Sequence, residues 1–224
     1  QSELERALAE LHDHPVPPNV AGRTDAGVHA TGQYVSFPSD RDRIDVRDIP
    51  AAINSRLPND VAVIAAREVP DRFHARFDAK SRHYRYVLTV ARVTLPHKRR
   101  YAWRIPQFPN VERLNREAAC LVGRHDFTTF ATRRTDQRSM ERTVHYARFR
   151  PTGADVEFAI GADGFLWRMV RSIVGTLIER ERTRLRGIEP DDTLQAILEC
   201  ADRARAGTTA PAWGLFLHDV EYDI

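Results

Sequence analysis

The sequence predicts an α+β fold, and three observations carry the prediction. Apolar residues recur every three to four positions in some segments and every second position in others, the marks of amphipathic helices and half-buried strands. The two kinds of segment do not alternate as a regular βαβ series, which favours antiparallel strands. The mixture occurs once in each half of the 224-residue chain, a length that can bury a real core as one large domain or two small ones.

In chain order, Ser2 and Glu5 have the spacing of a capping box, and Leu4, Ala7, Leu8 and Leu11 form one apolar stripe, so residues 2–12 read as a helix. Pro15, Pro17 and Pro18 end it, because proline supplies no donor and biases its predecessor away from helix. A glycine-rich stretch follows, then a strand over 33–37 and a helix over 46–57 with Ile49, Ala52, Ile53 and Leu57 inward. Strands are expected over 61–69 and 81–90. In the second, Tyr84, Tyr86, Leu88 and Val90 share one face, with His83, Arg85, Val87 and Thr89 on the other.

From there to about residue 104 the chain is basic and irregular. The second half opens with Asn110 as a cap, sets Val111, Leu114, Ala118 and Leu121 inward and stops at Gly123. Residues 143–150 and 154–160 flank Pro151-Thr152-Gly153 and read as a hairpin. A helix over 166–180 turns Val170, Ile173, Val174, Leu177 and Ile178 inward, with Arg168 and Arg171 toward an edge. A shorter helix over 191–203 and a strand over 215–222 complete the set.

Composition is that of a soluble globular protein, with 42% apolar and 29% charged residues. No apolar run approaches the roughly 18 residues of a membrane span. The opening QSELERALAELH is charged and amphipathic, unlike a signal peptide, so a cytoplasmic location and no membrane partner are expected. Cys120 and Cys200 lack metal or redox spacing and read as two small buried residues. Net charge is only +3, yet the pI is about 9.1 and the cations are bunched: His97-Lys98-Arg99-Arg100, Arg133-Arg134, Arg138 with Arg142, Arg148 with Arg150, and Arg168 with Arg171. Bunching suits a polyanion, which neutralises several cations at once and releases counterions. Arg182 and Arg184 read as ordinary solvated charge.

The stretch AGRTDAGVHATGQ, residues 21–33, displays one carboxylate, Asp25, among three glycines. Gly22 and Gly27 can take positive φ, and small neighbours let a bulky ligand approach. The competing reading is an Asx-type turn, in which Asp25 bonds a nearby backbone N–H. A metal held by Asp25 and His29 is weaker, because the segment is no helix and no further ligand lies close in sequence. A phosphate cradle fails, since an acid repels the anion and the chain has neither GK[ST] nor GxGxxG. No GxSxG elbow occurs, and His125-Asp126 lacks the partners of a metal phosphohydrolase and reads as a helix-terminal loop.

GRTDAGVH within that stretch resembles the signature of the TruA family of tRNA pseudouridine synthases. FHARFDAKSRHYRY at 73–86, CLVGRHDFTTF at 120–130, GFLWRMVRSIVGTL at 164–177 and TAPAWGLFL at 209–217 extend the resemblance over essentially the whole chain. It implies two ferredoxin-like α/β lobes, residues 1–104 and 105–224, sharing a continuous, mostly antiparallel sheet with a central cleft. It also implies a homodimer that isomerises uridines in the tRNA anticodon stem-loop, at positions 38 to 40, without metal or other cofactor. Members of the family normally begin with a strand before the first helix, which residue 1 already reaches here. That strand is expected to have been omitted, because its loss would leave sheet donors unpaired. The basic linker over 91–104 is also shorter than the family's.

The resemblance assigns roles residue by residue. Asp25 is the catalytic nucleophile, attacking C1′ of the ribose or C6 of the base. Arg171 pairs with it, against the alternative of a phosphate contact or surface charge. Tyr84 stacks on the uracil and assists removal of the C5 proton, although a tyrosine pKa of about 10 makes that second role need help. Arg23 assists extrusion of the uridine, and Leu215 walls the pocket, with a core role as good a reading on the residues alone. Two other functions stay open: a non-catalytic RNA-binding module, and an RNA glycosidase that releases free uracil.

Overall fold

The computed structural model describes residues 1–40, 44–132 and 139–223. In chain order the elements are α1 (Ser2–His12), β1 (Asn19–Val20), β2 (His29–Ala30), β3 (Val35–Ser36), α2 (Ile49–Asn54), β4 (Ala79–Val90), β5 (Trp103–Ile105), α3 (Val111–Ala118), β6 (Gly123–Asp126), β7 (Glu141–Thr152), β8 (Asp155–Ala162), α4 (Met169–Leu185), α5 (Leu194–Glu199) and β9 (Leu215–Tyr222). They fall into two compact units made of non-consecutive stretches. The first takes Gln1–Arg23, Tyr34–Ala79 and the chain from Tyr222; the second takes Thr24–Gln33 and Lys80–Glu221.

In the first unit the stripe Ala7, Leu8 and Leu11 of α1 packs with Ile49 and Ile53 of α2 and with Val16 around a small core. The expected capping box is not formed. Gln1, not Ser2, precedes the first helical residue, and its side chain donates to Glu5 Oε1 at 2.6 Å. β1 and β3 form a two-stranded antiparallel pair. The strand expected over 61–69 is absent: Val61 and Ile64 are exposed, and the Asn54 amide takes the place of a partner strand, bonding both the N–H and the carbonyl of Val63 at 2.7 and 2.8 Å. Beyond β3, Asp40 accepts from His12 Nδ1 at 2.6 Å and His14 Nε2 at 2.9 Å. Hydrogen bonds account for that convergence, and they hold the Asp40 carboxyl down to about 2.

The second unit is built on a sheet of order β2-β9-β4-β8-β7-β6, with β5 alongside the end of β4. β4/β8, β8/β7 and β7/β6 are antiparallel, whereas β2/β9 and β4/β5 are parallel. The predicted hairpin is β7/β8, turning at Gly153 with φ 67°. His125 and Asp126, expected in a loop, lie in β6 opposite Arg142 and Glu141.

All five apolar residues expected inward on α4 are buried, in one core with Leu88, Phe149, Phe158 and Ile160 of the sheet. α4 runs past residue 180 because its last charges have partners. Glu117 receives Arg180 and Arg184, and Arg113 binds Glu181 at 2.7 Å. Arg184 is therefore not solvated charge, and neither is Arg182, whose guanidinium lies 5.0 Å from the Trp103 ring. Several bunched cations are likewise spoken for: Lys98 by Asp155 and Arg150 by Glu157. Arg133, Arg134 and Arg138 lie outside the described residues. Cys120 is half-buried as a free thiol, but Cys200 is exposed, contrary to expectation.

Candidate active site

Asp25 opens a tight turn in the second unit. The Val28 N–H donates to the Asp25 carbonyl at 3.0 Å, and Gly27 takes the third position of that turn with φ 82°. Positive φ is required there, and an L side chain would add about 1–2 kcal/mol. Of the two glycines that can take positive φ in this stretch, Gly27 does so.

Past the turn the chain enters β2 and is tied to β9, where His29 pairs with Phe216 and Ala30 with Leu217. The Thr31 and Gly32 N–H groups both donate to the Leu217 carbonyl. A Cβ on Gly32 would collide with the His218 carbonyl oxygen, so the close approach depends on glycine.

The Asp25 side chain is held from α4 and from a residue two positions before it, not by a neighbouring backbone N–H as in an Asx turn. Arg171 Nη1 donates to Oδ2 at 2.7 Å, and Trp167 Nε1 donates to Oδ1 at 2.8 Å. The pair is partly withdrawn from water, with 15% of the Arg171 and 25% of the Asp25 side chain exposed. Between the two donors Arg168 sits at φ 63°, a left-handed conformation that costs a non-glycine residue of order 1 kcal/mol. That backbone reversal is why α4 begins at Met169 rather than at Leu166. The Arg168 guanidinium lies 4.6 Å from the centre of the Trp167 ring.

Arg171 is braced in turn. Its Nε donates to the Ala210 carbonyl at 2.8 Å, and its own carbonyl accepts from the Ala210 N–H at 3.0 Å. The segment 207–210 can lie this close to α4 because Gly175 has no side chain; a Cβ there would run into the Thr208 carbonyl oxygen. Gly207 N–H to Thr176 Oγ1 at 2.9 Å and Thr208 N–H to Glu179 Oε2 at 3.0 Å fasten the same strap. The Pro211 carbonyl accepts from the buried Tyr86 hydroxyl at 2.8 Å, and Gly214 lies against the Tyr86 ring. Tyr86 thus has the packing role expected of it.

Tyr84 lies on the same face of β4, edge-on to Phe165 with ring centres 5.0 Å apart. Burial pushes its phenol up to about 12; Arg82 opposes the shift and the nearby Asp25 carboxylate adds to it. Leu215, 6% exposed, belongs to the apolar core against which Tyr84 and Val28 pack. Asp25, Arg171 and Tyr84 therefore come together as a group. Arg23 is exposed and belongs to the first unit.

Sequence reasoning missed Trp167. A signal was available: a tryptophan four positions before Arg171, in a segment read as helical, falls on the same face as that arginine.

A family described as tRNA pseudouridine synthase matches residues 1–78 and 118–223. A tRNA pseudouridine synthase A from Moorella thermoacetica is 46% identical over 222 residues, covering 99% of this chain and 88% of that protein. Its counterpart in Treponema denticola is 41% identical over 222 residues, 99% of this chain and 81% of the relative. The one in Bacillus subtilis is 39% identical over 225 residues, 100% and 89% respectively.

Proposed function

Because the chain belongs to the tRNA pseudouridine synthase family, we propose that it isomerises uridines of the tRNA anticodon stem-loop, at positions 38, 39 and/or 40, with Asp25 as nucleophile. It is an isomerase of tRNA uridines. The isomerisation balances without a co-reactant: the N1–C1′ bond breaks, a C5–C1′ bond forms, C5 loses a proton and N1 gains one.

One observation supports the assignment above others. Asp25 is a lone carboxylate on a glycine turn, held at both oxygens by Trp167 and Arg171 and set beside a half-buried tyrosine. Fixed donors of this kind need no reorganisation during reaction. Arg171 orients the carboxylate and offsets its charge. Tyr84 stacks on the uracil as a neutral phenol, since burial disfavours the phenolate that abstraction of the C5 proton would require. Leu215, in the core beside it, supplies apolar backing. Extruding a stacked uridine costs a few kcal/mol, and the exposed Arg23 assists by contacting phosphate and filling the vacated space. The reading includes a cytoplasmic homodimer whose two subunits both meet one tRNA. Among the described residues no helix is long and apolar enough to cross a membrane.

The test is Asp25→Ala or Asp25→Asn on a uridine-labelled tRNA, with products resolved as pseudouridine, free uracil or unchanged uridine. Both variants are expected to lose pseudouridine formation and to keep most of their tRNA affinity. Turnover retained in either sinks the nucleophile. Free uracil from the unaltered enzyme would point to a glycosidase, and unchanged uridine to a binding module.

A further inference from the structure

Two donors grip the Asp25 carboxylate, and they are chemically unlike. Arg171 brings a full charge to Oδ2 and is itself fixed by the Ala210 carbonyl. Trp167 brings a single neutral N–H to Oδ1. With one donor alone, an aspartate carboxylate still swings about its Cβ–Cγ bond; a donor on each oxygen removes that freedom. We propose that Trp167 is the positioning residue that sets the carboxylate plane and presents Oδ1 to the uridine. The inference rests on the reading of Asp25 as nucleophile.

Three features support it. Trp167 has the Arg168 guanidinium 4.6 Å from its ring centre. Its carbonyl accepts from the Thr132 N–H at 3.0 Å, and the left-handed backbone at Arg168 fixes where the ring leaves the chain. The choice of oxygen follows from charge. Oδ2 faces a guanidinium that draws off its electron density, whereas Oδ1 meets only a neutral dipole. A carboxylate oxygen has two lone pairs, so Oδ1 accepts from the indole and still offers the second pair to carbon.

The experiment uses the full chain and an anticodon-arm tRNA transcript, comparing Trp167→Phe, Trp167→His and Asp25→Ala. Trp167→Phe keeps an aromatic ring but has no N–H, and its kcat is expected to fall about ten- to a hundredfold with KM changed less than about twofold. Trp167→His keeps a ring N–H and is expected to recover part of the loss. In a ¹H–¹⁵N spectrum of the three tryptophan indoles, the signal that disappears in Trp167→Phe is expected to move in Asp25→Ala, while that of Trp103 stays in place. An undiminished kcat in Trp167→Phe, a loss carried by KM, or an indole signal indifferent to Asp25→Ala overturns the inference. If Asp25→Ala is itself active, the nucleophile reading falls and the inference with it. If Asp25→Ala is dead and Trp167→Phe undiminished, the inference falls alone.

Discussion

In the proposed mechanism Tyr84 stacks on the base and leaves proton transfer to another group. Its phenol is raised to about 12 by burial, so the protonated form persists through the whole range in which tRNA is handled. A group raised in this way stabilises the fold below its unfolded value near 10, and that contribution is lost as pH rises through about 12. Tyr84→Phe is expected to keep kcat within about tenfold, since it keeps the ring that the proposal stacks on the uracil, and Tyr84→Ala to lose far more. Single-turnover rates up to pH 10 check this: a basic limb present in the unaltered enzyme and missing from Tyr84→Phe would return the hydroxyl to proton transfer. That Asp25, Tyr84 and Arg171 lie near one another was anticipated only through the family resemblance, since a strand or helix face alone leaves Tyr84 and Arg171 among many similar residues. Trp167 was passed over although its four-residue spacing from Arg171 was readable, because the helix was read for its apolar face and an indole N–H facing a carboxylate leaves no periodic mark. Leu215 was ambiguous on sequence, since core and pocket wall ask for the same residue type.

Among the elements, α4 and the strap across it depend on one missing side chain. Gly175→Ala would force the strap off the helix and loosen Ala210 from Arg171. It is expected to destabilise by about 1–3 kcal/mol, as overpacking does, and to lower kcat more than KM. Thermal melts with steady-state rates measure both, and an unshifted melt would show that the strap yields freely. Asp40 gives the first unit an acid dependence. His12, and then His14, depress its pKa to about 2, so the stabilising contribution is whole above the unfolded value near 4 and is lost as pH falls through about 2. The gap in urea midpoint between the unaltered protein and Asp40→Asn is expected at neutral pH and should close between pH 4 and 2. Helix faces were readable from apolar spacing, but the far end of α4 was not, because Arg180, Glu181 and Arg184 look like surface charge until Glu117 and Arg113 are seen. The false strand over 61–69 has the converse cause: its β-branched residues fit a strand, but among the described residues no strand pairs with it, and an asparagine side chain stands in.

For the molecule as a whole, a pI of about 9.1 on a net charge of +3 requires basic residues on a surface that also carries many acids. Arg99 and Arg100 are exposed on the linker between β4 and β5. Replacing both with glutamine is expected to weaken tRNA binding and to flatten its log–log salt dependence by about one to two. An unchanged slope would place them off the RNA path. The α+β class was legible from period and from the order of the elements, and the mostly antiparallel sheet from that order together with the family resemblance. The two compact units were not, because each is assembled from stretches far apart in sequence. That assembly also orders events in time. The loop bearing Asp25 is anchored by β9, which a ribosome makes long after the loop itself, and after Tyr84, Trp167 and Arg171 have emerged. A nascent chain therefore carries the Asp25 turn untied from the sheet, and the turn reaches its place beside Trp167 and Arg171 only once β9 has left the tunnel and paired.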